Sequence, residues 1–171
     1  MEYTLNVKYD EYPSSIEELY GDYFVGKIIS CTRHLQGDTQ VNSKRQFNDV
    51  VKNIKNKIHL PIYCYVHSGV TISTTEFTCP WDSFFAGYIV LDRERFLKNM
   101  GYKRMSKKRS IEAYNQLEEE IRIRNSYISG EVYCFEITDS NGDMVEFCGG
   151  FLCEDACRSE GQDFLSSLNQ K

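Results

Sequence analysis

The segment "LPIYCYVHSGVTISTTEFTCPWDSFFAGYIVLD", residues 60–92, decides the fold of this chain. Residues 61–74 are rich in β-branched and aromatic side chains around a single Gly69, which predicts two strands or one bent strand. Residues 85–92 predict a further strand. A window of hydroxyl side chains with one tryptophan lies between them. The segment therefore predicts strands of a sheet that frame a polar loop.

The residues before this segment predict a helix at 43–59. Ser43 and Gln46 have capping-box spacing, and the apolar residues that follow recur at helical spacing. Pro61 is expected to end this helix, because proline cannot continue the backbone hydrogen bonding.

The residues after the segment predict two more helices. Asp92 is the expected N-cap of a short helix that Gly101 closes. Residues 110–128 predict a longer helix with one apolar side, and residues 102–110 between the two helices predict a basic loop.

The two ends of the chain predict further elements: a strand at residues 3–9, a helix at 13–21 with a Ser14–Glu17 capping box, a hairpin with a type I′ turn at Asn141-Gly142, and a weak helix from Glu154 to Lys171. No repeat or low-complexity linker separates these elements. The sequence therefore predicts a single α+β domain over residues 1–171, in which a largely antiparallel sheet packs with three to four helices.

Composition restricts the class of protein. The net charge of −5 argues against non-specific binding to nucleic acid. No run of 18 apolar residues and no leader-like start are present, so we expect neither a membrane span nor a signal peptide. Seven cysteines without an export signal are typical of a reduced, cytoplasmic protein.

Two groups of residues could hold a metal. Cys64 and His67 have C-x-x-H spacing, and Cys148, Cys153 and Cys157 lie close together in the sequence. Structural zinc usually uses two tight ligand pairs, and these spacings do not match that pattern. We interpret the cysteines as small buried hydrophobes and predict no metal and no cofactor.

A catalytic hypothesis rests on Cys79 with His67 as base and Asp82 as orienting group. Nucleophilic thiols need an electropositive, partly exposed setting. Cys79 precedes Pro80 and Trp81, which predicts a rigid turn packed under an indole. The residues therefore favour a binding protein over an enzyme.

A binding surface is the preferred interpretation of the polar window, because tryptophan anchors interfaces at small entropic cost. Its candidate residues are His67, Ser68, Thr74, Thr75, Trp81, Asp82, Phe84 and Phe85. The same hydroxyl groups with His67 could instead trap a small ligand. The acidic run Glu118, Glu119 and Glu120 could match a basic groove of a partner.

The block "LPIYCYVHSGVTISTTEFTCPWDS" resembles "PlylYdHSGitmsttpFsCPWDS", a motif of uncharacterised proteins carried by bacteriophages, plasmids and other mobile elements. Further similarity lies in "CTRHLQGD", "LDRERFLKNMG" and "GEVYCFEITDSNGDMVEFCGGFLCED". The chain departs from the pattern at Phe84 and Phe85, where the relatives have Gly-Gln, at Gly149, where they have Trp, and at Leu152 and Cys153, where they have Tyr-Gly.

The resemblance implies a mobile-element gene that acts in the cytoplasm of a bacterial host. Small acidic proteins of this kind often antagonise host defence. We therefore expect an accessory protein that inhibits a defence system by binding a nucleic-acid-handling effector, as anti-CRISPR or anti-restriction proteins do. We expect no direct contact between this chain and nucleic acid. The resemblance does not predict an oligomeric state. The alternatives are a Cys79/His67-dependent enzyme that acts on a host signal or protein, and a module that sequesters a small ligand.

Overall fold

The computed structural model describes residues 2–169, which form eight strands and five helices. Their bounds are β1 (Thr4–Tyr9), α1 (Ile16–Tyr20), β2 (Gly26–Ser30), β3 (Thr39–Gln40), α2 (Lys44–Ile54), β4 (His59–Val66), β5 (Val70–Ser73), β6 (Ser83–Leu91), α3 (Arg93–Asn99), α4 (Lys107–Ile128), β7 (Tyr133–Thr138), β8 (Met144–Phe151) and α5 (Glu154–Leu168). The predicted α+β class is confirmed, with one more helix in this range than the three to four expected. The strands form two sheets instead of one.

The chain divides into two compact units. The middle unit covers Tyr20–Asn125, and the terminal unit comprises the two chain ends, up to Leu19 and from Ser126 onward. Each unit has its own sheet and its own cluster of buried apolar side chains. The expectation of a single domain over residues 1–171 stays a prediction.

The sheet of the middle unit has the strand order β3-β2-β6-β4-β5. The β2–β3 pair is parallel, and the other pairs are antiparallel. β4 pairs with both β5 and β6, so that Tyr65 lies opposite Thr71 on one side and Ser83 on the other. The predicted pair of strands around Gly69 is thereby confirmed as a hairpin.

One face of this sheet packs on α3 and α4. Ile62 of β4 and Ile89 of β6 are fully buried in one cluster with Phe96 of α3 and Leu117 of α4. Side chains alternate between the faces of a strand, so the neighbours of these isoleucines point to the opposite face. Burial of such side chains contributes about 1.5–3 kcal/mol each.

Helix α2 begins as predicted and ends early. The Ser43 side chain accepts a hydrogen bond from Gln46 N at 3.3 Å, which confirms the cap. The helix ends at Ile54 and not near Pro61. Pro61 lies inside β4, opposite Tyr88 of β6, so the prediction that it ends the helix is wrong. Pairing across the sheet decided this boundary.

The helices after β6 are confirmed with one shift. Asp92 caps α3 by accepting from Arg95 N at 3.2 Å, and Gly101 follows α3 with a positive φ of 66°. Helix α4 begins at Lys107, so the second half of the predicted basic loop is helical. Ser106 provides the cap that the apolar pattern alone did not reveal, since its hydroxyl oxygen accepts from Arg109 N at 3.3 Å.

The terminal unit is a three-stranded antiparallel sheet in the order β1-β7-β8. Phe135 and Ile137 of β7 are fully buried with Cys157 of α5. The capping box of α1 uses Ser15 and Glu18, one residue later than predicted: Ser15 N donates to Glu18 Oε2 at 3.0 Å.

The β7–β8 turn is not of type I′. That turn needs positive φ at both central residues, and only Gly142 has it, at 85°. Asp139 instead closes a longer loop by accepting from Asn141 N at 2.8 Å and Asp143 N at 3.0 Å. These backbone donors lower the pKa of Asp139.

Helix α5 confirms the predicted helix in the tail as far as Leu168, and Gln170 and Lys171 of that prediction lie outside the described residues. None of the helices described is both long and apolar enough to cross a lipid bilayer.

Candidate functional site

The polar window forms one surface at the end of β4. The segment between β5 and β6, residues 74–82, is here named the Trp81 loop. Val66 N donates to Asp82 O at 2.8 Å, and the Ser83 hydroxyl donates to Cys79 O, so the returning end of the loop is tied to β4 and β6. At its start, Thr75 N donates to Ser73 Oγ at 3.0 Å. The loop is therefore held by hydrogen bonds at both ends.

Trp81 projects from this loop into solvent. Its side chain is 91% exposed, so the expectation that the indole packs over Cys79 is wrong. The returning end of the loop is fixed by its hydrogen bonds to β4 and β6, and the ring itself stays in solvent. Large aromatic side chains favour burial, so such exposure is informative.

The two phenylalanines of β6 do not act alike, because adjacent strand residues point to opposite faces. Phe84 is exposed, with the His34 ring 6.0 Å away. Phe85 is half-buried and packs against the rings of Tyr88 at 5.0 Å and Tyr63 at 6.0 Å. Phe85 therefore serves an internal aromatic cluster, and Phe84 is the one of this pair that faces solvent.

The structure brings His67, Asp82 and Cys79 together. His67 Nδ1 lies 3.3 Å from Asp82 Oδ2, and Cys79 Sγ lies 3.9 Å from the same oxygen. Asp82 is thus the shared acceptor. In a nucleophile–base–acid triad the histidine lies between the other two groups. The Cys79 thiol has a carboxylate as its hydrogen-bond partner, whereas reactive thiolates are stabilised by cationic neighbours.

The hydroxyl residues of the window lie in the same turn and loop as this group. Ser68 lies in the exposed turn between β4 and β5, Thr75 is exposed, and Thr74 is half-buried. His67 N donates to Gly69 O at 3.2 Å, which closes the turn and orients the backbone at Ser68. All of these side chains can donate and accept hydrogen bonds to an incoming partner.

Two aromatic residues of this surface were not predicted as site residues. The Tyr65 ring lies 6.3 Å from the His67 ring and 5.7 Å from Phe77. Tyr63 on the same strand has its pKa raised by burial and by the neighbouring carboxylate of Glu76. The period-two spacing of Tyr63, Tyr65 and His67 in the sequence is the signal that could have revealed them.

The three consecutive glutamates do not form one acidic face. Successive residues of a helix are about 100° apart, so α4 directs them differently. Glu118 is exposed, and Glu119 is half-buried. The Glu119 Oε1 atom lies 2.5 Å from Arg122 Nη2, and this hydrogen bond lowers the pKa of Glu119. Glu120 is fully buried and cannot meet a partner, which corrects its inclusion in the acidic surface.

The cysteines are dispersed. Cys64 is buried in the middle unit, where burial raises its pKa to about 11, and His67 lies beyond the end of the same strand. In the terminal unit, Cys157 is buried, Cys148 is half-buried and Cys153 is exposed. Within residues 2–169, no three side chains of the metal-binding types are grouped to hold an ion.

Three grooves of the middle unit have volumes of about 970, 630 and 510 Å³. None of their lining residues belongs to the polar window at 65–83. The window is therefore not a wall of any of these three grooves.

No protein-family model, curated protein or solved structure matches this chain.

Proposed function

We propose that this protein acts by binding a partner protein through the Trp81 loop and not by catalysing a reaction. The observation that carries this proposal is the 91% exposed indole of Trp81 on a backbone held at both ends. A fixed loop loses little conformational entropy on association, which favours binding. The flanking hydroxyl groups and Asp82 provide polar contacts around an apolar anchor.

The free energy available from this anchor is large enough to matter. An aromatic side chain buries about 150–250 Å². At about 25 cal/mol per Å², burial of the Trp81 indole offers about 4–6 kcal/mol before the costs of association. Removal of a central anchor of this kind typically weakens binding by 2 kcal/mol or more, about 30-fold in Kd.

For the partner, we propose a nucleic-acid-handling effector of a bacterial defence system, with this chain as an inhibitor encoded by a phage or other mobile element. The support is the resemblance of the "HSG" and "CPWDS" blocks, which coincide with the β4–β5 turn and the Trp81 loop. The exposed Glu118 and the net charge of −5 suit a basic nucleic-acid groove.

The test is a pull-down from a bacterial host with the intact chain as bait, followed by titration of the captured effector. We expect co-elution with a defence nuclease and reduced DNA binding by that nuclease. Trp81→Ala should weaken the complex about 30-fold or more. Tyr12→Ala removes a 90% exposed aromatic residue elsewhere and should leave affinity within about two-fold. Equal affinity of both variants, or no captured effector across a defence panel, would count against the proposal.

A second candidate function has one observation in its favour, the convergence of His67 and Cys79 on the Asp82 carboxylate. It predicts a thiol-dependent reaction on a host signal or protein. Cys79→Ala separates the two functions: loss of an effect on the host with an unchanged melting temperature favours chemistry, whereas retention of the effect favours binding.

A further inference from the structure

A basic surface lies at the start of α4, away in sequence from the Trp81 loop. Four of its cationic side chains are exposed: Lys103, Arg104, Lys107 and Lys108. We name these four residues the basic patch. The first two lie in the loop after α3, and the last two lie in the first turn of the helix.

The backbone that carries the basic patch is held in place by Arg109. Its guanidinium lies 4.2 Å from the centre of the Tyr102 ring and donates from Nη1 to Arg104 O at 2.5 Å. The Tyr102 hydroxyl in turn donates to Glu112 Oε2 at 2.9 Å. The Arg109 side chain is thus engaged in contacts within the protein. The other four cationic side chains lie on a loop and a helix start that these contacts hold in place.

Local stability does not explain these four charges. Within residues 2–169, the ion pairs found do not include any of them. Lys107 and Lys108 place two positive charges in the first turn of α4, next to the positive end of the helix dipole. The first turn of a helix favours acidic residues, and α4 has none there.

The positive charges of the chain are concentrated in this region. The chain has 20 lysines and arginines and 25 acidic residues, for a net charge of −5. Without the basic patch and Arg109, 15 cations and 25 acids remain, which gives −10. The net charge alone argued against non-specific binding to nucleic acid. A local cluster of positive charges is nevertheless compatible with a negative net charge.

The exposed face of α4 adds apolar and aromatic area next to the basic patch. Ile111 and Tyr114 follow Lys107 by four and seven residues and therefore lie on its side of the helix. Their side chains are 58% and 40% exposed. Glu118, the next exposed carboxylate on this face, is about 15 Å further along the axis from Lys108.

We propose that this surface binds the backbone of single-stranded nucleic acid. The basic patch contacts phosphates, and Tyr114 with Ile111 supports a stacked base, the combination that single-strand-binding surfaces use. The surface is distinct from the Trp81 loop, so the inference does not rest on the proposed function.

Fluorescence anisotropy with a labelled deoxythymidine strand of about 20 nucleotides tests the proposal, because this length exceeds the usual site size. We expect a Kd of about 1–100 μM and a slope of log K against log salt near −3, as four phosphate contacts on a single strand predict. Replacement of the four basic-patch residues by alanine should lower affinity at least about ten-fold and bring the slope close to zero. Tyr114→Ala should lower affinity about five-fold.

Matched controls separate this surface from a general charge effect. Alanine at Lys44, Lys52, Lys55 and Lys57 removes the same charge from exposed positions at and after α2 and should change affinity less than about three-fold. Trp81→Ala should change nothing here. Circular dichroism confirms the fold of each variant. Three outcomes overturn the proposal: no binding at about 50 mM salt, equal losses in the two four-residue variants, or binding to vesicles of anionic phospholipid without binding to the strand.

Discussion

Replacement of Glu120 by alanine tests how the middle unit is held together. This carboxylate is fully buried on α4, where it accepts hydrogen bonds from Val25 N at 2.5 Å and Gly26 N at 2.9 Å. It therefore joins the middle of a helix to the start of β2 across 94 residues of chain. In Glu120→Ala, both backbone donors lose their acceptor inside the protein.

The expected effect follows from these two donors. A buried N–H group without a partner costs about 1–3 kcal/mol, so two of them cost about 2–6 kcal/mol. Removal of this buried carboxyl group also removes its desolvation penalty, and we expect a net loss of about 2–4 kcal/mol. Urea denaturation followed by circular dichroism should show a midpoint lowered by about 1–2 M.

Glu118→Ala is the matched control, since it removes the same side chain from an exposed position of the same helix. We expect a change within about 0.5 kcal/mol. If Glu120→Ala and Glu118→Ala unfold at the same urea concentration, the hydrogen bonds of Glu120 do not stabilise the fold and the reasoning fails.

The pH dependence of Glu120 gives an independent result. Burial raises its pKa above the ordinary value of 4.5, although the N–H groups of Val25 and Gly26 oppose the shift. The folded state then holds this proton more tightly than the unfolded state. The resulting stabilisation is complete below pH 4.5 and is lost as pH rises through the raised pKa. The stability of the wild type relative to that of Glu120→Gln should therefore fall with rising pH, and a constant difference would contradict the shift.

Two further predictions concern a glycine and the cysteines. Gly87→Ala should destabilise the protein by at least about 2 kcal/mol in urea denaturation, because φ is 150° and the new methyl group would overlap the backbone oxygen of Ile29. Gly69→Ala is the control: the space around Gly69 is open, so the free energy of unfolding should change by less than about 0.5 kcal/mol. Iodoacetamide should modify exposed Cys153 in the native protein and Cys157 only after unfolding, because burial raises the pKa of Cys157 to about 11 and shields it. Mass spectrometry of native protein that shows early modification of Cys157 would refute this.

The sequence could predict which residues form much of the candidate site, but not how their side chains are oriented. The sequence predicted a polar loop between strands, with His67, Asp82 and Trp81 in it, and the structure places them on one surface. It did not predict that the indole faces solvent, which depends on the path of the loop. It also did not predict that Phe85 faces an internal cluster, which depends on the strand face that this residue occupies. The basic patch was visible as a run of charges, and only the helix register placed Tyr114 beside it.

The sequence by itself determined the α+β class, most helix starts and the strand hairpins, because capping residues and apolar periodicity act over a few neighbouring positions. The tertiary structure decided the features that depend on residues far apart in the chain. It ended α2 before β4, placed Pro61 inside a strand and buried Glu120 two residues from an exposed Glu118. Each of these outcomes depends on partners far apart in the chain, whose hydrogen bonds and packing outweigh local preference.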